Sequence, residues 1–372
     1  MVKVALVFGT RPEVIKLAPV YAALRDRADR FTVQVISSGQ HRDLVAQMVR
    51  VFDMQVDVDL NVMKTGQSLV GLTCSILSAL EPVLEELRPD VLLVQGDTTT
   101  VLAGALAAFY QRISVGHVEA GLRTRDKTQP FPEEINRRLT DGMADLHFAA
   151  TDQARANLLN EGLPGDRIFV TGNTVADALE VVLARHPGLE GTDLAWAEEW
   201  PGRVLLVTAH RRENWGVPMA AICQAVRRIH DTFPDLLVVF PAHPNPTVRD
   251  TVFSLLSEAE RVRVIAPPDY ALFVPLLRRA DLIITDSGGI QEEAPSLGIP
   301  VLVARQTTER PEGVEAGAAV LVGTDEERIV SEATRLLTDP RAYHAMAAVR
   351  SPYGDGRASQ RIADALEYHF GL

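Results

Sequence analysis

A chain of 372 residues, 47% hydrophobic and 23% charged, is too long for one ordinary globular core, so two domains are expected. Its formal net charge of −12 argues against a nucleic-acid partner, whose phosphates need clustered positive charge. No apolar run is long enough to span a membrane, so no membrane partner is expected.

The N-terminal stretch MVKVALVFGTRPE reads as a first strand rather than a signal peptide. From there short apolar runs alternate with amphipathic stretches. Strands are predicted at 2–8, 32–37, 90–95, 113–118, 146–149 and 167–170, then at 203–208, 236–240, 262–265, 281–285, 300–304 and 319–322. Helix-sized segments lie between them, among them 13–27, 67–87, 98–110, 133–143, 217–232, 270–279 and 325–338. Such alternation predicts an α/β protein with doubly wound parallel sheets. The composition changes around 172–202, which places one domain at 1–172 and a second at 173–354, with a final helix at 355–372 crossing back to the first. Cys74 and Cys223 both fall in helical patterns and read as buried thiols of a cytoplasmic protein.

In folds of this kind ligands bind at the carboxyl ends of the strands, and most of the motifs follow a strand. After the first comes FGTRPEVIK, where Thr10 and Glu13 match a capping box and Pro12 suits the first helical turn. Arg11 and Lys16 then stand at a helix N-terminus that favours anions. GDTTT follows the strand at 90–95; taken alone, Asp97 beside three threonines is an N-cap. Glu119 in GHVEAGLRT ends the next strand, and Glu133 and Glu134 open the helix after FPEE. Three carboxylates at one sheet edge, Asp97, Glu119 and Glu133, are what acid–base chemistry on a sugar carbon requires.

In the second half His210, Arg211 and Arg212 form a compact cationic turn suited to phosphate. The stretch DSGGIQEEAPSLG offers the backbone N–H groups of Ser287, Gly288 and Gly289 to a phosphate. Glu293, a turn further on, is placed for the two hydroxyls of a ribose, while Glu292 is expected to face solvent. Arg310 in TTERPEG can neutralise a diphosphate from another side. Two stretches are decoys: DSGG also occurs around the nucleophile of all-β serine proteases, and DVD at 57–59 reads as an exposed loop rather than a metal-binding D-x-D. Neither a metal nor another cofactor is called for, and the absence of G-x-G-x-x-G speaks against a nicotinamide.

Taken together, FGTRPE, GDTTT, GHVEAGLRT, PEE, HRRE, DSGGIQEEAPSLG, TTERPE and PYGDG resemble the bacterial non-hydrolysing UDP-N-acetylglucosamine 2-epimerases along essentially the whole chain. The resemblance implies a GT-B fold, two Rossmann-like domains with the active site in the cleft between them. It implies interconversion of UDP-N-acetylglucosamine and UDP-N-acetylmannosamine by elimination and re-addition of UDP through a glycal. Asp97, Glu119 and Glu133 match the family's catalytic carboxylates, and His210 a family histidine near the diphosphate. The nucleotide contacts carry over to Arg11, Lys16, His210, Phe273, Ser287, Gly288, Gly289, Glu293 and Arg310. Pro268 stands where some relatives have a glutamine. Some members bind a second UDP-N-acetylglucosamine as an activator, at positions matching Gln40, His41, Gln67, Arg211 and His243. A homodimer is also implied. Two other readings share the nucleotide half, a glycosyltransferase with a UDP-sugar donor and a non-catalytic UDP-sugar sensor; neither needs the three carboxylates.

Overall fold

The computed structural model describes residues 1–372 apart from His41 and Thr65. The chain forms two compact units, Met1–Val181 with Tyr353–Leu372, and Val182–Pro352.

Unit 1 is built on a parallel sheet of β1 (Val2–Phe8), β2 (Phe31–Ser37), β3 (Val58–Asp59), β4 (Val91–Gln95), β5 (Ser114–Ala120), β6 (Leu146–Ala149) and β7 (Ile168–Val170). Their order across the sheet is β3-β2-β1-β4-β5-β6-β7. Unit 2 contains β8 (Val204–Thr208), β9 (Leu237–Pro241), β10 (Val262–Ile265), β11 (Leu282–Thr285), β12 (Val301–Val303) and β13 (Ala319–Leu321), in the order β10-β9-β8-β11-β12-β13. Both are doubly wound Rossmann-like sheets. In each, the strand order reverses once, between β1 and β4 and between β8 and β11, the point at which ligands bind in sheets of this kind. The strands are short apolar runs because helices cover both faces: every residue of β4 and of β8 is buried.

The helix Leu69–Leu87 shows how patterning fixes burial. It buries Leu72, Ile76, Leu80 and Leu84, a stripe with a four-residue repeat. Cys74 lies on the opposite face and is exposed, contrary to the expectation of a buried thiol. Cys223 is buried, and burial pushes its thiol up to about 12. The DVD segment also departs from the loop reading. Val58–Asp59 pairs with the edge of β2, and the Asp57 carboxylate accepts from the Val35 N–H at 2.8 Å.

The division between units falls at residues 181/182 and 352/353, not at 172/173 and 354/355. The reason is the helix Thr174–Arg185, whose Asp177 caps the helix Ala358–Phe370. Its carboxylate accepts from Ser359 N at 2.8 Å, Ser359 Oγ at 2.5 Å and Ala358 N at 3.2 Å. Arg27 adds ion pairs to Asp364 and Glu367 at 2.7 and 2.9 Å, holding that last helix against Arg11–Arg25.

Candidate active site

In unit 1 the β1 and β4 loops flank the reversal point and one buried carboxylate joins them. Glu13 accepts from Gly9 N at 3.0 Å and Thr10 N at 2.6 Å through one oxygen, and from Thr98 Oγ1 at 2.8 Å through the other. The capping box of Thr10 and Glu13 is present. The same side chain also crosses to the second loop, which the local pattern does not show. Burial dominates its electrostatics: despite these donors, desolvation raises the Glu13 carboxyl to about 7. Gly9 is required here, because a Cβ would lie 2.2 Å from Ser38 Oγ and 2.4 Å from Thr100 Oγ1.

Asp97 follows β4. It is not the helix cap; Thr98 is, accepting from Val101 N at 3.3 Å. The Asp97 carboxylate instead binds the Arg137 guanidinium, with Nε at 3.1 Å and a second, shorter contact from the other nitrogen. Asn136 Nδ2 donates to the Asp97 carbonyl at 2.9 Å.

Glu119 occupies a bulge. The pairing of β5 with β6 shifts between Val118 and Ala120, and Glu119 has φ 66°, a left-handed conformation costly for a residue with a side chain. Its buried carboxylate accepts from Lys16 Nζ at 2.8 and 2.7 Å and from Gln95 Nε2. Lys16, expected to meet a phosphate, is thus engaged with a carboxylate.

Glu133 begins the helix Glu133–Met143 and is half-buried. Its neighbour Glu134 is fully buried and anchors the preceding loop, accepting from Thr124 N, Arg125 N and Arg137 at 3.0, 3.1 and 3.2 Å. Asp97 and Glu119 therefore leave adjacent strands at the same end. Glu133 opens the helix whose Arg137, one turn on, holds Asp97.

Unit 2 repeats the device. Asp286, fully buried at the end of β11, accepts from His210 N at 2.9 Å, Arg211 N at 2.9 Å and Asn214 Nδ2 at 2.9 Å, which fixes the β8 loop. His210 Nδ1 lies 3.3 Å from the same carboxylate. The helix Gly288–Ser296 starts beside this loop with Ser287 as its cap residue. Ser287 N, expected to donate to a phosphate, donates to Thr285 Oγ1 at 2.9 Å in this structure. Gly288 and Gly289 open the helix, where N–H groups have no intrahelical acceptor. A Cβ on either would meet nothing closer than 3.6 Å, so packing within the fold does not require glycine at these positions.

Glu292 does not face solvent. It is 1% exposed and ion-paired with Arg310, because the chain after β12 folds over that face of the helix. Glu293 is also buried and accepts from Tyr270 Oη at 3.0 Å. Phe273 is half-buried against the core, and Arg11 is a half-buried first residue of its helix.

The residues matched to an activator site lie in both units. Gln40 accepts from Thr100 Oγ1 at 2.9 Å and Gln67 donates to Ser75 Oγ at 2.9 Å. In unit 2, His243 stacks on His210 with ring centroids 6.3 Å apart, and Arg211 lies 3.7 Å from Glu309. His41 lies outside the described residues. Among the described residues no group of three or more His, Cys, Asp or Glu side chains is placed to hold a metal ion, and no helix is long and apolar enough to cross a membrane.

The profile of the UDP-N-acetylglucosamine 2-epimerase family matches residues 23–367. The chain belongs to this family. It is an isomerase, and its two Rossmann-like units are of the GT-B class. It is 51% identical to the UDP-N-acetylglucosamine 2-epimerase of Yersinia pestis, over 99% of each chain. The crystal structure of the Neisseria meningitidis UDP-GlcNAc 2-epimerase bound to UDP-GlcNAc is 46% identical with a TM-score of 0.89, covering 98% of this chain and 100% of that one. The Methanocaldococcus jannaschii enzyme, in complex with UDP-GlcNAc and UDP, is 35% identical with a TM-score of 0.82, covering 98% and 99%.

Within this family member, four residues that matter to the site carried weak sequence signals. Gln95 is the polar end of an otherwise apolar strand, and Asp286 likewise follows LIIT. Arg137 stood in the stretch PEEINR without a role of its own, and Tyr270 showed nothing beyond its helix.

Proposed function

We propose that this chain reversibly inverts C2 of UDP-N-acetylglucosamine to give UDP-N-acetylmannosamine, by elimination and re-addition of UDP. The C2 hydrogen beside an acetamido group is not acidic enough for direct removal. Breaking the C1–O bond as UDP leaves, while a carboxylate takes the C2 proton, gives a glycal. A proton returned to the opposite face of C2 and a UDP oxygen re-attacking C1 then complete the inversion without net change in atoms or charge.

Asp97, Glu119 and Glu133 are assigned the proton transfers. Arg11, His210, Arg310 and the N–H groups of Gly288 and Gly289 are assigned the diphosphate, Glu293 the ribose, and Phe273 the uracil side. Lys16, ion-paired with Glu119, is assigned to the same site. The observation that carries this reading is Glu119: an acidic side chain on a bulge with φ 66°, gripped by an ammonium group and an amide. Strain of this kind persists where function needs it. A second UDP-N-acetylglucosamine as activator is proposed at Gln40, His41, Gln67, Arg211 and His243. The stacking of His243 on His210 supports a link between activator and diphosphate. The protein is proposed to act in the cytoplasm as a homodimer.

The test is incubation with UDP-N-acetylglucosamine in deuterium oxide, without acceptor or added metal. UDP-N-acetylmannosamine carrying deuterium at C2, with nucleotide sugar conserved, is expected. Free sugar with UDP would indicate hydrolysis, and unchanged substrate would overturn the reading in favour of a transferase or a sensor.

A further inference from the structure

His117 is fully buried in β5, two residues before Glu119, and both its ring nitrogens have oxygen partners. Nε2 lies 2.7 Å from the Gly96 carbonyl oxygen, and Nδ1 lies 2.6 Å from Asp141 Oδ1. A carbonyl oxygen can only accept, so Nε2 carries a hydrogen. A second proton must sit between Nδ1 and the carboxyl oxygen. Arg123 decides where. Its guanidinium lies 2.7 Å from Asp141 Oδ2, and the Gly121 N–H donates to the same oxygen at 3.3 Å, both favouring a carboxylate. Burial alone would raise the Asp141 carboxyl, but His117 and Arg123 hold it below its ordinary value. Arg123 is fixed in turn by Glu161 at 2.8 and 2.7 Å, and His147 Nε2 lies 2.9 Å from the Asp141 carbonyl oxygen.

The placement is specific. Gly96 immediately precedes Asp97, has φ 79°, and donates its N–H to the Val118 carbonyl at 3.0 Å. The His117 ring thus closes a second bond onto the Asp97 turn, while its own backbone leads directly into the Glu119 bulge. One side chain therefore links both acids: through its strand to Glu119, and through Nε2 to the residue before Asp97.

We infer that His117 is a positioning residue that sets the separation of Asp97 and Glu119, donating a hydrogen from each ring nitrogen while the Asp141–Arg123 pair holds the ring in place. This role rests on the proposed reaction and extends it. His117 touches neither carboxylate and takes no part in proton transfer.

Two measurements test it. In the unsubstituted chain labelled with 15N-histidine, one histidine is expected to show protons on both ring nitrogens at about pH 7, and His117→Gln should remove that signal. A bare nitrogen on His117 overturns the assignment. In the epimerase assay, His117→Gln can serve only one of the two oxygens, so kcat should fall on the order of 10–100-fold, with KM and UDP affinity within about twofold of the parent. Asp141→Asn, which keeps the side-chain shape, should give the same kcat-only loss and covers failure of His117→Gln to fold. A kcat within about twofold of the parent, or a parallel fall in kcat, UDP affinity and Tm, overturns the role. The ring measurement needs no substrate, so failure of the proposed reaction and failure of this assignment are distinguishable.

Discussion

Each unit ties its two loops at the strand-order reversal with one buried carboxylate, Glu13 in unit 1 and Asp286 in unit 2, yet the two differ in kind. Asp286 ends a strand and accepts from two successive backbone N–H groups and an amide, so its donors are fixed by the adjacent loop. Glu13 reaches from a helix to donors in two separate loops, and desolvation still outweighs them. The first arrangement is a rigid clamp suited to a dianionic ligand that needs fixed positive ends. The second is a carboxyl close to its own titration point, beside residues proposed to move protons.

The comparison breaks most visibly at Asp286. Asp286→Ala removes a buried acceptor shared by two half-buried backbone N–H groups and the Asn214 amide, and chemical unfolding should show a loss of about 2–3 kcal/mol. If unit 2 holds the nucleotide, UDP binding by calorimetry should weaken with it; retained affinity would mean that the clamp is structural only.

Glu13 sharpens the contrast through pH. Its folded value, about 7, is above the ordinary 4.5, so its neutral form is favoured in the folded chain. Stability from this group is fully present below about 4.5 and is lost as pH rises through about 7, a difference of about 3 kcal/mol. Unfolding titrations at pH 5 and pH 8 should therefore show the parent losing more stability than Glu13→Gln. Equal losses would mean that Glu13 is ionised with little penalty. Glu13→Gln keeps an oxygen for the Gly9 and Thr10 N–H groups and turns its NH2 to the Thr98 hydroxyl, so the loop pairing and UDP affinity should hold.

A smaller effect on the fold, though not on the ligand, is expected of Gly288→Ala. The added Cβ meets only Arg211 at 3.6 Å, so Tm should stay within about 2 °C of the parent. UDP affinity should fall on the order of 10-fold, since the methyl group occupies the approach to the helix N-terminus. The smallest change is Cys74→Ser, exposed and off the packed stripe, with stability expected within about 0.5 kcal/mol of the parent.

The same two carboxylates show what a sequence discloses. The strands were legible because buried parallel strands are unbroken apolar runs, and the loops that follow them could be located from there. β3 escaped, being two residues recognisable only by their pairing with β2. Glu13 was legible as a cap of its own helix, but its bond to Thr98 spans 85 positions and leaves no local trace. Glu292 was assigned to solvent because nothing nearby signals that Arg310, 18 positions on, covers it. His117 sits in a strand buried along almost its whole length, where nothing local names the partners of its ring. Local rules carry elements and caps; the partners of buried charges are set by topology.

Unit 1 is not a continuous piece of chain. Its last helix, Ala358–Phe370, is synthesised only after all of Val182–Pro352. During translation the Arg11–Arg25 helix must wait with its packing face bare, and Asp177 without the N–H groups it caps. A deletion of the last fifteen or so residues, far in sequence from every proposed acid, would therefore strip Arg27 and Arg30 of their partners and uncover one side of the Arg11–Arg25 helix.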